Sequence, residues 1–142
     1  MFFLQVVYNG TGPFPAGEYR AKVKEMFNFA YDSYMKNAFP KDELKPLTCE
    51  GTNNYGGYAL TLIDLLDTLV IFNQTDDFRT GVKWVIENVD FMADLNVSVF
   101  ESTIRILGGL LSAHFLCIDP HLQLYPGYEG ELLQKARDLA DR

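Results

Sequence analysis

The sequence has few of the residues that build metal centres, disulfide frameworks and nucleic-acid interfaces. Its 142 residues include 2 Cys and 2 His, too few for a zinc finger, a His-rich metal site or a disulfide scaffold. Lys and Arg number 12 against 19 Asp and Glu, giving a net charge of −7, and no basic cluster occurs. Because nucleic-acid binding needs a basic surface, we expect no nucleic-acid partner.

Long apolar segments are also missing, since no stretch reaches the roughly 18 apolar residues of a membrane-spanning helix. We therefore expect no membrane span in this chain. Apolar residues still make up 48% of the sequence, which is enough for a hydrophobic core and argues against intrinsic disorder. Residues 1–17 are predicted to be an unstructured leader or the remnant of a signal peptide. Residues 18–142 have the size of one modest domain or of part of a larger one.

Three Asn-x-Ser/Thr sequons lie along the chain, at Asn9, Asn73 and Asn96. Each can accept an N-glycan only inside the secretory pathway, so three of them in a short chain favour a lumenal location. Cys49 and Cys117 could form a disulfide in such a lumen, and the sequence leaves this open. Cys117 otherwise fits a buried apolar thiol, and His114 a helix histidine with its hydrogen bonds satisfied.

Hydrophobic spacing predicts helices and no strands, and hence an all-α chain of helical hairpins. The five predicted helices cover 18–39, 58–72, 75–89, 98–117 and about 130–142. An apolar stripe from Val23 to Met35 marks the inner face of the first helix. The second helix is apolar nearly all round and is predicted to be buried on all sides. That helix needs more cover than the chain offers, and the last helix has no stop signal. We therefore expect the chain to be the first part of something larger.

Asp64 and Asp67 stand three residues apart on one face of the apolar second helix. A buried carboxylate without a partner is costly, so these two must face a cation, backbone donors or a wet cavity. Two interpretations stay open. The two aspartates either cap neighbouring helices or pair with an arginine, or they line a polar cleft inside a helical barrel.

Glu101 and Arg105 share a face of the fourth helix at a spacing of i, i+4. Ser98 and Glu101 also match the capping box, in which the glutamate bonds the backbone N–H of the cap residue, and spacing alone favours that role. Gly108 and Gly109 follow within the same helix, where each costs about 1 kcal/mol relative to alanine. Such a pair indicates close approach of another backbone or of a ligand.

Four segments resemble the class I α-1,2-mannosidase family, glycoside hydrolase family 47, in the order and at the spacing of that family. The resemblance covers about residues 18–118 and is nearest to the branch of ER degradation-enhancing α-mannosidase-like proteins. The matching segments are Met26–Tyr34, Ala38–Pro46, Leu60–Leu69 and Val97–His114.

The resemblance implies an incomplete (α/α)7 barrel of about two and a half helical hairpins. It also implies inverting hydrolysis of α-1,2-linked mannose from high-mannose N-glycans on misfolded glycoproteins. The implied location is the lumen of the endoplasmic reticulum, with or without attachment to the membrane. An oxidoreductase is a further partner that the resemblance suggests, and Cys49 is then a disulfide candidate with a cysteine outside this chain.

The resemblance also assigns roles to residues. Glu101 matches the acid-side catalytic glutamate of the family, which outweighs the capping role, and Arg105 matches its substrate-contacting arginine. Asp64 and Asp67 match acidic positions that line the same cavity. The implied cofactor is Ca²⁺, whose ligands would lie outside this chain, as would the second catalytic carboxylate.

Two other functions compete with the mannosidase. One is a lectin-like adaptor that binds high-mannose glycans without cutting them, and the other is a truncated product with no activity. We also expect that these 142 residues alone neither hydrolyse mannosides nor fold stably, because the inner helices would lack partners.

Overall fold

A computed structural model describes residues 15–142. Asn9 and the predicted leader up to residue 14 lie outside the described residues. Among the described residues, 15–32 and 33–142 belong to two compact units. The elements in chain order are α1 (Ala16–Asn37), β1 (Glu43–Lys45), β2 (Glu50–Thr52), α2 (Leu60–Ile71), α3 (Thr75–Asn88), α4 (Val99–Glu101), a π-helix (Ser102–Leu107), α5 (Gly108–Ile118) and α6 (Glu131–Ala140).

The predicted inner stripe of α1 is wrong over the first half of that helix. Val23 and Met26 are 52% and 70% exposed, whereas Tyr34, nearer the end of the helix, is buried. The helix also begins at Ala16, two residues inside the predicted leader. Spacing identifies the face of a helix that can be buried, but burial itself requires a partner surface.

Helices α2 and α3 form a hairpin, and their facing residues make up much of the core of the second unit. Five residues of α2 are buried, and Phe78, Gly81, Val82 and Val85 of α3 pack in the same core. The prediction that α2 is buried on all sides is wrong at its end, where Ile71 is 78% exposed. Thr75 is the first residue of α3, and Asn73, with a positive φ of 59°, turns the chain just before it.

The connector between α1 and α2 contains a short antiparallel hairpin, which contradicts the prediction of no strands. Strand β1 pairs with β2, with Glu43 opposite Thr52 and Lys45 opposite Glu50. Each strand has three residues, too few to show an alternating pattern in the sequence.

Asp42 fixes this hairpin to the start of α2. Its side chain is fully buried and accepts hydrogen bonds from the backbone N–H groups of Tyr55 (2.8 Å), Gly57 (2.9 Å) and Leu60 (3.3 Å). Its carbonyl oxygen accepts from the N–H and the hydroxyl of Thr61. Asp42 thus caps the N-terminus of α2, although it lies 18 residues before Leu60 in the sequence.

The predicted fourth helix, 98–117, is interrupted. Ser98 is its N-cap, as expected, but the six residues Ser102–Leu107 form a π-helix between α4 and α5. Single π-helical turns inside α-helices are rare and frequently lie at functional sites. Just after this turn, a Cβ on Gly109 would lie 2.7 Å from the carbonyl oxygen of Ile63 in α2. The predicted close approach of another backbone is therefore confirmed at Gly109.

We expect Gly109→Ala to destabilise the native protein by about 1–3 kcal/mol, because the new methyl group would force α2 and α5 apart. Gly108→Ala is the matched control, since a Cβ there would meet only the carbonyl oxygen of Thr103, at 3.6 Å. That control should be neutral or stabilising by up to about 1 kcal/mol. Thermal unfolding of both variants checks the prediction, and equal effects would contradict it.

Helix α6 packs against α5 through Leu132 and Ala136, which are buried. His114 of α5 is hydrogen-bonded in this region, with its Nδ1 2.8 Å from the hydroxyl oxygen of Tyr128. The same hydroxyl oxygen accepts a hydrogen bond from the N–H of Leu132 in α6. The expectation that His114 is a satisfied helix histidine is confirmed. The predicted helix from about 130 is likewise present, although it ends at Ala140.

Both cysteines are free, Cys49 exposed near the hairpin turn and Cys117 buried as predicted. Burial, with the nearby charge of Glu131, raises the pKa of Cys117 to about 12. We therefore expect iodoacetamide at pH 8 to alkylate Cys49 in the reduced native protein and to spare Cys117. Only about one Cys117 thiol in ten thousand would be ionised at that pH.

Mass spectrometry of the alkylated peptides checks this prediction. Denatured protein is the positive control, in which both thiols should react. Alkylation of Cys117 in the folded protein as fast as Cys49 would contradict the prediction. Omitting the reductant also tests the disulfide candidate, because a Cys49 that reacts only after reduction is paired in the native protein.

Of the three sequons, Asn73 and Asn96 are exposed. Over residues 15–142, no helix is both long enough and apolar enough to cross a membrane.

Candidate active site

Asp64 of α2 and Arg105 of the π-helix form an ion pair between the two helices. Arg105 Nε and Nη2 each lie 2.7 Å from Asp64 Oδ2. The close contact of the two helices at Gly109, four residues beyond Arg105, brings these side chains within reach. The interpretation that an aspartate of α2 pairs with an arginine is therefore confirmed for Asp64.

A second carboxylate, Glu43 of β1, faces the other side of the Arg105 guanidinium. Its Oε1 lies 3.6 Å from Arg105 Nη1, and its Oε2 accepts from Asn54 Nδ2 at 2.7 Å. The sequence pattern does not indicate Glu43 as a site residue, because it predicts a connector where the structure has a hairpin. The residue nevertheless lies in one of the four segments that carry the family resemblance.

Asp67 lies on the same side of α2 and has different partners. Its Oδ2 accepts from the hydroxyl of Ser112 in α5 at 2.8 Å, and its Oδ1 from the hydroxyl of Thr68 at 3.3 Å. Neither Asp64 nor Asp67 acts as a helix cap among the described residues. Asp67 thus joins α2 to α5 through neutral donors rather than through an arginine.

Glu101 ends α4, immediately before the π-helix, and is half-buried. Its backbone N–H donates to Ser98 Oγ at 3.3 Å, which is one half of the predicted capping box. Within residues 15–142, the Glu101 carboxylate makes no reciprocal hydrogen bond to the N–H of Ser98. Its two oxygens are therefore available to a ligand.

The charges of this cluster act on one another. Burial raises the pKa of Asp64, and the nearby Asp67 and Glu101 raise it further, while the Arg105 contact opposes them. Burial alone would lower the pKa of Arg105, but Asp64, Glu43 and Glu101 raise it overall. Three carboxylates, those of Asp64, Glu43 and Glu101, thus act on one permanently charged guanidinium.

The described part of the chain contains no group of three or more His, Cys, Asp or Glu side chains that could hold a metal ion. The arrangement instead suits a polar, uncharged ligand. Arg105 has five N–H donors; its Nε–H bonds Asp64, and Nη2 and Nη1 lie 2.7 Å and 3.6 Å from Asp64 and Glu43 oxygens, which leaves N–H groups for a ligand. Glu101 offers carboxylate oxygens to hydroxyl groups.

The chain is thus a mostly helical protein whose facing helices bring acidic side chains and an arginine together in one polar site. The profile of Glycosyl hydrolase family 47 matches residues 26–142, and the chain belongs to that family of glycosidases. The expected fold, part of an (α/α)7 barrel, is confirmed by similarity to the solved alpha-1,2-mannosidase from Trichoderma reesei. The two chains share 33% sequence identity with a TM-score of 0.76 over 85% of this chain.

Two curated relatives are closer in sequence. ER degradation-enhancing alpha-mannosidase-like protein 2 of Mus musculus is 51% identical over 93% of this chain. Alpha-mannosidase I MNS4 of Arabidopsis thaliana is 48% identical over 96% of this chain. The chain spans 23% and 22% of these two relatives and 26% of the Trichoderma structure, about a quarter in each case.

Proposed function

We propose that this chain is the acid-side part of an inverting α-1,2-mannosidase, with Glu101 as the general acid. The observation that carries the proposal is the position of Glu101. Its carboxylate has no capping bond and stands beside the Asp64–Arg105 ion pair, in a chain of family 47. A carboxyl group that is free of structural hydrogen bonds can approach a leaving oxygen.

In an inverting glycosidase, one carboxyl group protonates the leaving oxygen, and a second carboxylate activates water on the opposite face of the sugar. The two groups stand roughly 6.5–9.5 Å apart, which leaves room for that water. We assign the first role to Glu101, directly or through a water molecule. Arg105 binds sugar hydroxyls, while Asp64 holds its guanidinium in place. Asp67 is bonded to Ser112, and we assign it to the wall of the same glycan site.

We propose high-mannose N-glycans on misfolded glycoproteins as the substrate and the lumen of the endoplasmic reticulum as the location. The name of the mouse relative links it to degradation from that compartment, and the two described sequons are exposed. An oxidoreductase partner is part of the same proposal, because Cys49 presents a free thiol at the surface. Ca²⁺ is proposed as the metal of a complete family 47 barrel, with ligands outside this chain; residues 15–142 contain no group of three or more His, Cys, Asp or Glu side chains that could hold a metal ion.

Testing the proposal begins with the native protein. An antibody against residues 76–95 recovers it from the source cells and reports its size with and without glycan removal. The recovered protein is then incubated with a high-mannose N-glycan, and free mannose is followed by proton NMR. We expect β-mannose as the first product, because inversion converts the α-linkage. Early α-mannose would contradict the mechanism, and glycan binding without any release would favour the lectin-like alternative.

A further inference from the structure

Glu43 is a site carboxylate to which the proposed mechanism gives no role. It is the first residue of β1, and its side chain is 37% exposed. Both of its oxygens are engaged, Oε1 toward Arg105 and Oε2 with Asn54. The side chain is therefore held in one orientation, pointing at the arginine.

The Asp64 contact alone does not fix the orientation of Arg105. Nε and Nη2 of the guanidinium both converge on the same oxygen, Asp64 Oδ2. A fork that meets two carboxylate oxygens fixes the guanidinium plane, whereas contact through one oxygen leaves that atom as a pivot. Glu43, 3.6 Å from Nη1, supplies a second point of contact on another nitrogen.

The backbone that carries Glu43 is itself fixed. Asp42, the preceding residue, is fully buried and accepts three backbone N–H groups from the loop and from the start of α2. The same helix carries Asp64 one turn further on. The two carboxylates that contact Arg105 are thus attached to one rigid element, at a fixed separation.

From this geometry we infer that Glu43 is a positioning residue that sets the orientation of Arg105 toward the glycan. The inference rests on the proposed function, in which Arg105 contacts the substrate. Glu43 limits rotation of the guanidinium, so that the N–H groups not bonded to Asp64 stay oriented toward the glycan.

The first test measures Arg105 itself and needs no enzyme activity. Phenylglyoxal modifies arginine side chains, and peptide mass spectrometry gives the rate at each one. In the native protein, Glu43→Gln should raise the rate at Arg105 about two- to fivefold, the size expected from losing a partly exposed ion contact. Arg137, whose side chain is 83% exposed, is the internal reference.

Glu50→Gln is the matched control, because Glu50 is an exposed glutamate on β2 of the same hairpin. This substitution removes the same charge from the same hairpin, at a residue without a contact to Arg105. The rate of phenylglyoxal modification at Arg105 should therefore equal that of the wild type. An unchanged rate in Glu43→Gln, or an equal rise in Glu50→Gln, would overturn the inference. If Glu43→Gln does not fold, Glu43→Asp, which shortens the side chain by one methylene, takes its place with the same expectation.

The second test links the orientation to the reaction. With a high-mannose glycan, Glu43→Gln should raise KM about two- to fivefold and leave kcat unchanged, because a misoriented arginine weakens substrate binding. A lower kcat at constant KM would overturn the positioning role. A wild-type protein that releases no mannose would refute the proposed function instead, and the modification rates would still decide whether Glu43 holds Arg105.

Discussion

Glu101→Gln should lower the rate of mannose release from a high-mannose glycan by about 10²–10⁴-fold, because glutamine cannot donate a proton to the leaving oxygen. The affinity for the glycan should stay close to that of the wild type, since the side chain keeps its shape and polarity. Turnover is measured as free mannose and affinity by titration with the labelled glycan. This is the largest effect that we expect from a single substitution in the site.

The same substitution separates catalysis from capping. Glutamine serves as well as glutamate at the third position of a capping box, so a capping role predicts no change in either turnover or stability. Ser98→Ala provides the complementary control, compared with Asn96→Gln because both substitutions remove the Asn96 sequon. It removes the hydroxyl that accepts from the N–H of Glu101 and should cost about 0.5–2 kcal/mol of stability while turnover persists.

Full turnover in Glu101→Gln would refute its role as the general acid. Absence of mannose release from both the wild type and the variant, with equal glycan affinity, would favour the lectin-like adaptor. The exposed Glu87 of α3 gives a matched control, since Glu87→Gln makes the same chemical change far from the cluster of Asp64 and Arg105. It should alter neither measurement.

Residues whose role depends on spacing along one helix could be predicted from the sequence. The capping hydroxyl of Ser98 and the close approach at Gly109 follow from local rules, and both are present. The partner of Asp64 required one more step, because periodicity shows that a buried carboxylate needs a partner but does not identify it. Here Arg105 is that partner, 41 residues away in the sequence.

Features that depend on tertiary structure were beyond such rules. Residues 102–107 follow the apolar spacing of an ordinary helix, and the π-helix that they form has no pattern of its own in the sequence. The hairpin that carries Glu43 is too short to alternate. Along α1, the apolar stripe gave the correct periodicity but the wrong burial, since Val23 and Met26 are exposed.

Asp42 is the clearest case of a residue whose importance only the fold reveals. In the sequence it is one acidic residue in a polar connector. In the structure its carboxylate is buried and accepts three backbone N–H groups, from Tyr55, Gly57 and Leu60. A buried N–H that loses its acceptor costs its full desolvation penalty, about 1–3 kcal/mol for each group.

We therefore expect Asp42→Ala to destabilise the native protein by about 3–5 kcal/mol, because up to three N–H groups lose their acceptor together. Asp42→Asn should lower the free energy of unfolding by about half as much. The amide oxygen can still accept a hydrogen bond, but the NH₂ group cannot accept from the N–H groups that it faces. Thermal or urea unfolding measures both. Asp94→Asn, at an exposed side chain, should change stability by no more than about 0.5 kcal/mol.

The site should respond to Asp42→Asn as well, below the temperature at which the variant unfolds. Glu43 follows Asp42 directly, so loosening the hairpin frees one of the two carboxylates that contact Arg105, while Asp64 keeps its own contact. We expect KM for the glycan to rise in this variant by about as much as in Glu43→Gln, two- to fivefold. A stable Asp42→Asn protein with wild-type KM would show that Arg105 is oriented independently of the hairpin.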